Sequence, residues 1–61
     1  MEKITERELQ TLREQLGYEK VLVKKNRAFA AACTDPQLRS RYQQIAARHT
    51  DHFNRLLGHL N

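Results

Sequence analysis

The sequence predicts an all-α protein, an antiparallel hairpin of two long helices that dimerises into a four-helix bundle. Two segments repeat apolar residues at spacings of three and four, the period of one helix face. A proline-containing turn at 33–36 separates them, and neither has the alternating pattern of a strand. We therefore expect one domain, 1–61, with a first helix at about 6–32 and a second at about 36–59.

The first helix has a clear start signal and one continuous row of mainly apolar residues along one side, which we call its seam. Thr5 is followed three residues later by Glu8, the spacing of a capping box, so the helix should begin near Glu6. Leu22 and Phe29 widen the seam, and a stripe this broad suits a bundle better than a two-stranded coil. The seam residues are Leu9, Leu12, Leu16, Glu19, Val23, Asn26, Ala30 and Cys33.

The second helix starts at the turn. Asp35 can cap it while Pro36 takes the first helical position, where no amide hydrogen is needed. So short a connection favours two antiparallel helices. The second seam consists of Leu38, Tyr42, Ile45, His49, His52, Leu56 and His59, widened by Ala46, Phe53 and Leu60.

The small size of the chain predicts a homodimer. A domain of 61 residues needs a disulfide, a metal or self-association for stability. Cys33 is the only cysteine, which excludes an internal disulfide. A single hairpin cannot cover both broad stripes, whereas two hairpins can, and two-fold pairing is the commonest symmetry. We expect Phe29 and Phe53 in the resulting core, and Cys33 to be a buried structural residue.

The charge pattern bears on partners and location. The formal net charge is +4, but the basic residues are spread along the chain, which is typical of a solvated surface. Without a helix-turn-helix, a zinc-finger spacing or a basic block, nucleic acid is not an expected partner. No signal peptide or membrane span is apparent, so we expect a cytoplasmic or spore-associated protein with no membrane partner.

Three polar residues interrupt the seams at one height. Glu19 precedes Asp35 by 16 residues, while His49 and His52 follow it by 14 and 17, so a hairpin rising about 1.5 Å per residue brings them to one level. Asn26 should lie level with Tyr42, whose hydroxyl or a dimer mate would satisfy it.

Two interpretations of this layer remain open. In the first interpretation, Glu19 pairs with His49 or His52, and the three residues form a polar layer that fixes the register of the helices. Alternatively, the three side chains bind a metal, and zinc, copper or iron suit a nitrogen-rich set. Zinc or iron and no cofactor at all are equally compatible with the sequence.

The motifs LGYEKVLV, with its glutamate, and IAARHTDHFNRLL, with its two histidines, resemble half of a ferritin-like four-helix bundle. The whole chain is similar to the small coat F domain proteins of endospore-forming bacteria, most closely in EKVLVKK, DPQLR and IAARHTDHFNRLL. In ferritin-like proteins each half supplies a glutamate and a Glu-x-x-His motif; Glu19 matches the first glutamate and His52 the histidine. His49 replaces the bridging glutamate, which favours a mononuclear site or a vestigial polar core over di-iron chemistry.

The resemblance implies a small structural or interaction protein, spore-associated, with spore-coat partners. We expect no catalysis, because Cys33 should lie roughly 20 Å from the histidines by helical rise and has no base beside it. The alternative is a ferritin-like metal-binding protein that uses Glu19, His49 and His52.

Overall fold

A computed structural model describes residues 4–60 of the chain, and these form two α-helices. Helix α1 spans Glu6–Ala32 and helix α2 spans Pro36–Gly58. Phe29 packs on Tyr42 near the turn, and Glu19 meets His49 further along, so the helices run antiparallel. The hairpin measures 48 × 17 × 10 Å. The predicted all-helical hairpin is confirmed, with α2 ending at Gly58, one residue before the predicted end. Neither helix is long and apolar enough to cross a membrane in the part described.

The capping box at the start of α1 is confirmed. The Glu8 amide donates to Thr5 Oγ1 and the Thr5 amide donates to Glu8 Oε1, each at 3.1 Å. The side-chain hydrogen bond to Thr5, followed by the backbone one, holds the pKa of Glu8 below its ordinary value. Because the folded pKa is the lower one, this contribution to stability is present near neutral pH and is lost as the pH falls through that value.

Thr5→Ala is expected to lower the free energy of unfolding by about 1 kcal/mol, since the amide of Glu8 loses its acceptor. In a domain of this size that corresponds to a melting temperature lower by roughly 4–8 °C, measurable by circular dichroism. Thr11→Ala, an exposed position inside α1, is the control and should not destabilise. Equal effects of the two changes would contradict the role of the cap.

The turn is held by side chains on both sides. Asp35 Oδ1 accepts hydrogen bonds from the amides of Gln37 at 2.9 Å and Leu38 at 3.4 Å, and Pro36 occupies the first turn of α2, as predicted. The Arg39 guanidinium donates to the Cys33 carbonyl through Nη2 at 2.6 Å and Nε at 3.2 Å. Arg39 therefore ties the end of α1 to the start of α2, a contact that the apolar periodicity does not predict.

The core of the hairpin is thin. Among residues 4–60, the buried apolar side chains are Leu12, Ala30 and Ala46, and no large side chain is fully buried. Two of the three are alanines, which let the helices approach closely but remove little apolar surface from water. A single hairpin thus leaves most of both seams only half covered.

Asn26 is buried, but its hydrogen-bond partner in the hairpin is not the Tyr42 hydroxyl, one of the two predicted partners. Its Nδ2 donates to the carbonyl of Leu22, four residues earlier in the same helix, at 2.8 Å. An asparagine inside a helix can reach the carbonyl one turn back, so it needs no partner from α2. Tyr42 packs its ring on Phe29 instead, with ring centroids 5.4 Å apart.

Two side chains expected in the core are more open in the hairpin. Phe29 is 50% exposed, because it lies beside Ala30 at the edge of the seam rather than on it. Cys33 is half-buried, since α1 ends just before it and little of α2 reaches past the turn. Phe29 and Cys33 are therefore not buried within one hairpin, and their burial in a dimer stays a prediction.

Candidate metal centre

Glu19 on α1 and His49 and His52 on α2 meet in one layer. One ligand atom from each lies within 4.8 Å of the other two. The histidines are three residues apart, so both lie on the same side of α2, one turn apart. The common height predicted from the distances to the turn agrees with this arrangement.

The Glu19 carboxylate lies between the two imidazole rings. His49 Nδ1 is 2.9 Å from Glu19 Oε2 and 3.3 Å from Oε1, while His52 Nδ1 is 3.4 Å from Oε1. The ring centroids are 5.5 Å apart with an interplanar angle of 83°, so the rings approach edge to face. Each carboxylate oxygen thus has an imidazole nitrogen as its nearest partner.

The carboxylate oxygens lie near each ring nitrogen at the spacing that a single ion needs, and the three ligand atoms as a set lie within 4.8 Å of one another. A tetrahedral ion with bonds of about 2.0 Å needs donor atoms roughly 3.3 Å apart. The separations from carboxylate oxygen to ring nitrogen, 2.9 to 3.4 Å, span that value. Three ligands leave a fourth position open, and two nitrogens with one oxygen suit zinc or iron.

The layer also satisfies its polar groups without an ion. The Glu19 side chain is 13% exposed, and burying a carboxylate this deeply is costly unless it is hydrogen-bonded. In the described part of the chain, no buried side-chain nitrogen or oxygen lacks a hydrogen-bond partner. Both interpretations of the layer, register device and metal site, therefore remain compatible with its geometry.

The layer opens toward one side of the hairpin. The exposed fraction rises from 21% for His49 to 43% for His52. Lys20 and Thr50 line a shallow groove between the helices. Leu22 follows Lys20 by two positions on α1, and His52 follows Thr50 by two positions on α2. Two positions turn a residue about 200° around its helix. His52 and Leu22 therefore lie on the side away from the groove.

Apolar residues lie along the hairpin on the same side as His52. Leu38 and Ile45 precede it by multiples of seven residues, which places them in one row of α2, and Phe29 follows Leu22 by seven on α1. Phe29 and Leu38 are exposed, while the others are half-buried. We call this surface the apolar face; it consists of Leu22, Phe29, Leu38, Ile45 and Leu56.

The remaining sequence candidates lie elsewhere. Cys33 is beyond the end of α1, and it contributes its carbonyl, as an acceptor for Arg39, to the turn. Phe53, expected in the core, is half-buried and lines the groove with Lys20 and Thr50. The groove was not anticipated, although the spacing of Lys20, Lys24 and Arg27 along one stripe of α1 signals it.

No family model, curated protein or solved structure matches this chain. The similarity to coat F domain proteins stays a prediction.

Proposed function

We propose that this chain is a small structural or interaction protein that acts as a homodimeric four-helix bundle and catalyses no reaction. The observation that carries the proposal is the uncovered apolar surface of the hairpin. Seven large hydrophobic residues of the described chain are exposed. They are Ile4, Tyr18, Val21, Phe29, Leu38, Leu57 and Leu60, and two of them, Phe29 and Leu38, belong to the apolar face.

The energetics favour pairing through the apolar face. Each large apolar side chain that is moved from water into a core contributes about 1.5–3 kcal/mol. Among residues 4–60, Leu12 is the one large apolar side chain that is buried, so this contribution is small against the conformational entropy of two ordered helices. A second hairpin packed against the apolar face would cover Phe29, Leu38 and Ile45. It would thereby add the free energy of apolar burial that one hairpin lacks.

A spore-associated role rests on the similarity to coat F domain proteins in EKVLVKK, DPQLR and IAARHTDHFNRLL. A rigid helical dimer without a catalytic site suits assembly with other coat proteins. The spore coat is accordingly the proposed setting, and its proteins are the proposed partners.

Sedimentation equilibrium at micromolar concentration tests the dimer. We expect a mass of about 14 kDa, twice the 7.2 kDa of one chain, and a melting temperature that rises with protein concentration. A helical species of single-chain mass at these concentrations would contradict the proposal.

The Glu19, His49 and His52 layer favours a second candidate, a ferritin-like metal-binding protein. Its three ligand atoms converge within 4.8 Å, and His52 opens onto the apolar face, where a second copy would complete the coordination. Histidine at position 49 favours one zinc or iron ion over a carboxylate-bridged pair of irons. Metal analysis of protein purified without an affinity tag tests this candidate, and protein free of metal that also binds none on addition would count against it.

A further inference from the structure

The groove between the helices, on the side away from the apolar face, combines an apolar floor with a cationic rim. It has a volume of about 270 Å³ and is lined by Lys20, Val23, Lys24, Arg27, Thr50 and Phe53. We call it the basic groove. The Thr50 hydroxyl donates to the Ala46 carbonyl at 3.0 Å, so it is already used within α2. Recognition in the groove therefore falls to the three cations and to the two apolar side chains.

The three cations form one uncompensated stripe. Lys24 follows Lys20 by four residues and Arg27 follows it by seven, so all three lie on one side of α1, and all are exposed. Within residues 4–60, no carboxylate lies within 4.0 Å of any of them, whereas Arg55 pairs with Asp51 at 3.0 Å. Like charges one turn apart repel each other, and an anionic partner would relieve that repulsion.

We propose that the basic groove binds an acidic amphipathic helix of a partner protein. Carboxylates at spacings of three, four and seven on such a helix match Lys20, Lys24 and Arg27, and its apolar stripe covers Val23 and Phe53. The apolar floor favours this occupant over a nucleic acid, whose phosphates would use the cations alone. The groove lies opposite the apolar face, so a dimer leaves it open.

Fluorescence anisotropy with a labelled probe peptide tests the proposal. The probe is a designed helical peptide of Glu, Ala and Leu, with its leucines in one stripe flanked by glutamates. The first control peptide has alanine at every leucine position, and a duplex DNA of mixed sequence is the second control. We expect the leucine peptide to bind the full chain at least about tenfold more tightly than either control.

Two charge-reversed double variants locate the site. Lys20→Glu with Lys24→Glu is expected to weaken binding of the leucine peptide by about tenfold or more. Arg7→Glu with Lys25→Glu changes the net charge equally at exposed positions of α1 outside the groove, and should weaken it less than about twofold by loss of general attraction. Circular dichroism establishes that both remain helical. Equal weakening by the two variants, binding of the alanine peptide as tight as that of the leucine peptide, or tighter binding of DNA would each overturn the proposal.

Discussion

If the Glu19, His49 and His52 layer is a metal site, zinc is expected to raise the melting temperature of the wild-type protein, and Glu19→Gln is expected to abolish that rise. An ion present at about 100 times its dissociation constant stabilises the folded state by roughly 2.7 kcal/mol. For a domain of this size the shift is on the order of 10–20 °C. Glutamine keeps the shape of the side chain but removes the anionic ligand that lies 2.9 Å from His49 Nδ1.

Two comparisons make the zinc experiment decisive. Glu14→Gln, an exposed position on α1, should leave the zinc effect intact. A zinc effect that survives Glu19→Gln combined with His49→Ala and His52→Ala would exclude this site.

If the layer only fixes the register of the helices, the opposite results are expected for zinc and for the loss of Glu19. Zinc would then leave the melting temperature unchanged, and Glu19→Leu would stabilise the protein, because well-packed apolar residues often replace buried polar ones at a net gain. The same two measurements therefore separate the interpretations of the layer, whichever result is obtained.

Phe29→Ala is expected to cost roughly 3–5 kcal/mol in the dimer, the usual loss when a covered phenylalanine is truncated. In one hairpin the ring is 50% exposed, so a loss this large requires a second copy over the apolar face. Urea denaturation at two protein concentrations measures the free energy of unfolding, and sedimentation reports whether the variant still pairs.

Val21→Ala is the matched control for Phe29→Ala. Val21 is 50% exposed, as Phe29 is, and it follows Glu19 of the seam by two positions, which turns it about 200° around α1 to the side away from α2. We expect a loss below about 1 kcal/mol for this surface position. Equal losses for the two variants would place Phe29 at the surface and argue against pairing through the apolar face. Phe29→Leu should restore most of the stability, because it refills the covered space.

The local signals in the sequence predicted the hairpin well. Thr5 with Glu8, and Asp35 with Pro36, mark the two helix starts because their side chains satisfy amides only a few residues away. The layer of Glu19 and the two histidines followed from helical rise alone, which is regular enough to compare heights across a short turn.

Partner choices across the hairpin were less predictable. Asn26 bonds to its own helix because a carbonyl one turn back is always within reach, whereas any contact with Tyr42 depends on the rotation of α2. Phe29 and Phe53 flank their seams, and such positions are covered only when a third or fourth helix is present. Periodicity identifies the inward side of each helix, but it does not determine how wide a strip one neighbour can cover.

Pro36 opposes the exchange of helices between copies of this chain. Hairpins joined by short turns can open at the turn, fuse their two helices into one long rod and exchange halves with another copy. Here that rod would place a proline in a helix interior, at a cost of about 3 kcal/mol, and would draw Asp35 out of its extended conformation at ψ 118°. It would also break the Arg39 hydrogen bonds to the Cys33 carbonyl. The turn thus disfavours domain swapping, and in the proposed dimer each copy would stay a closed hairpin.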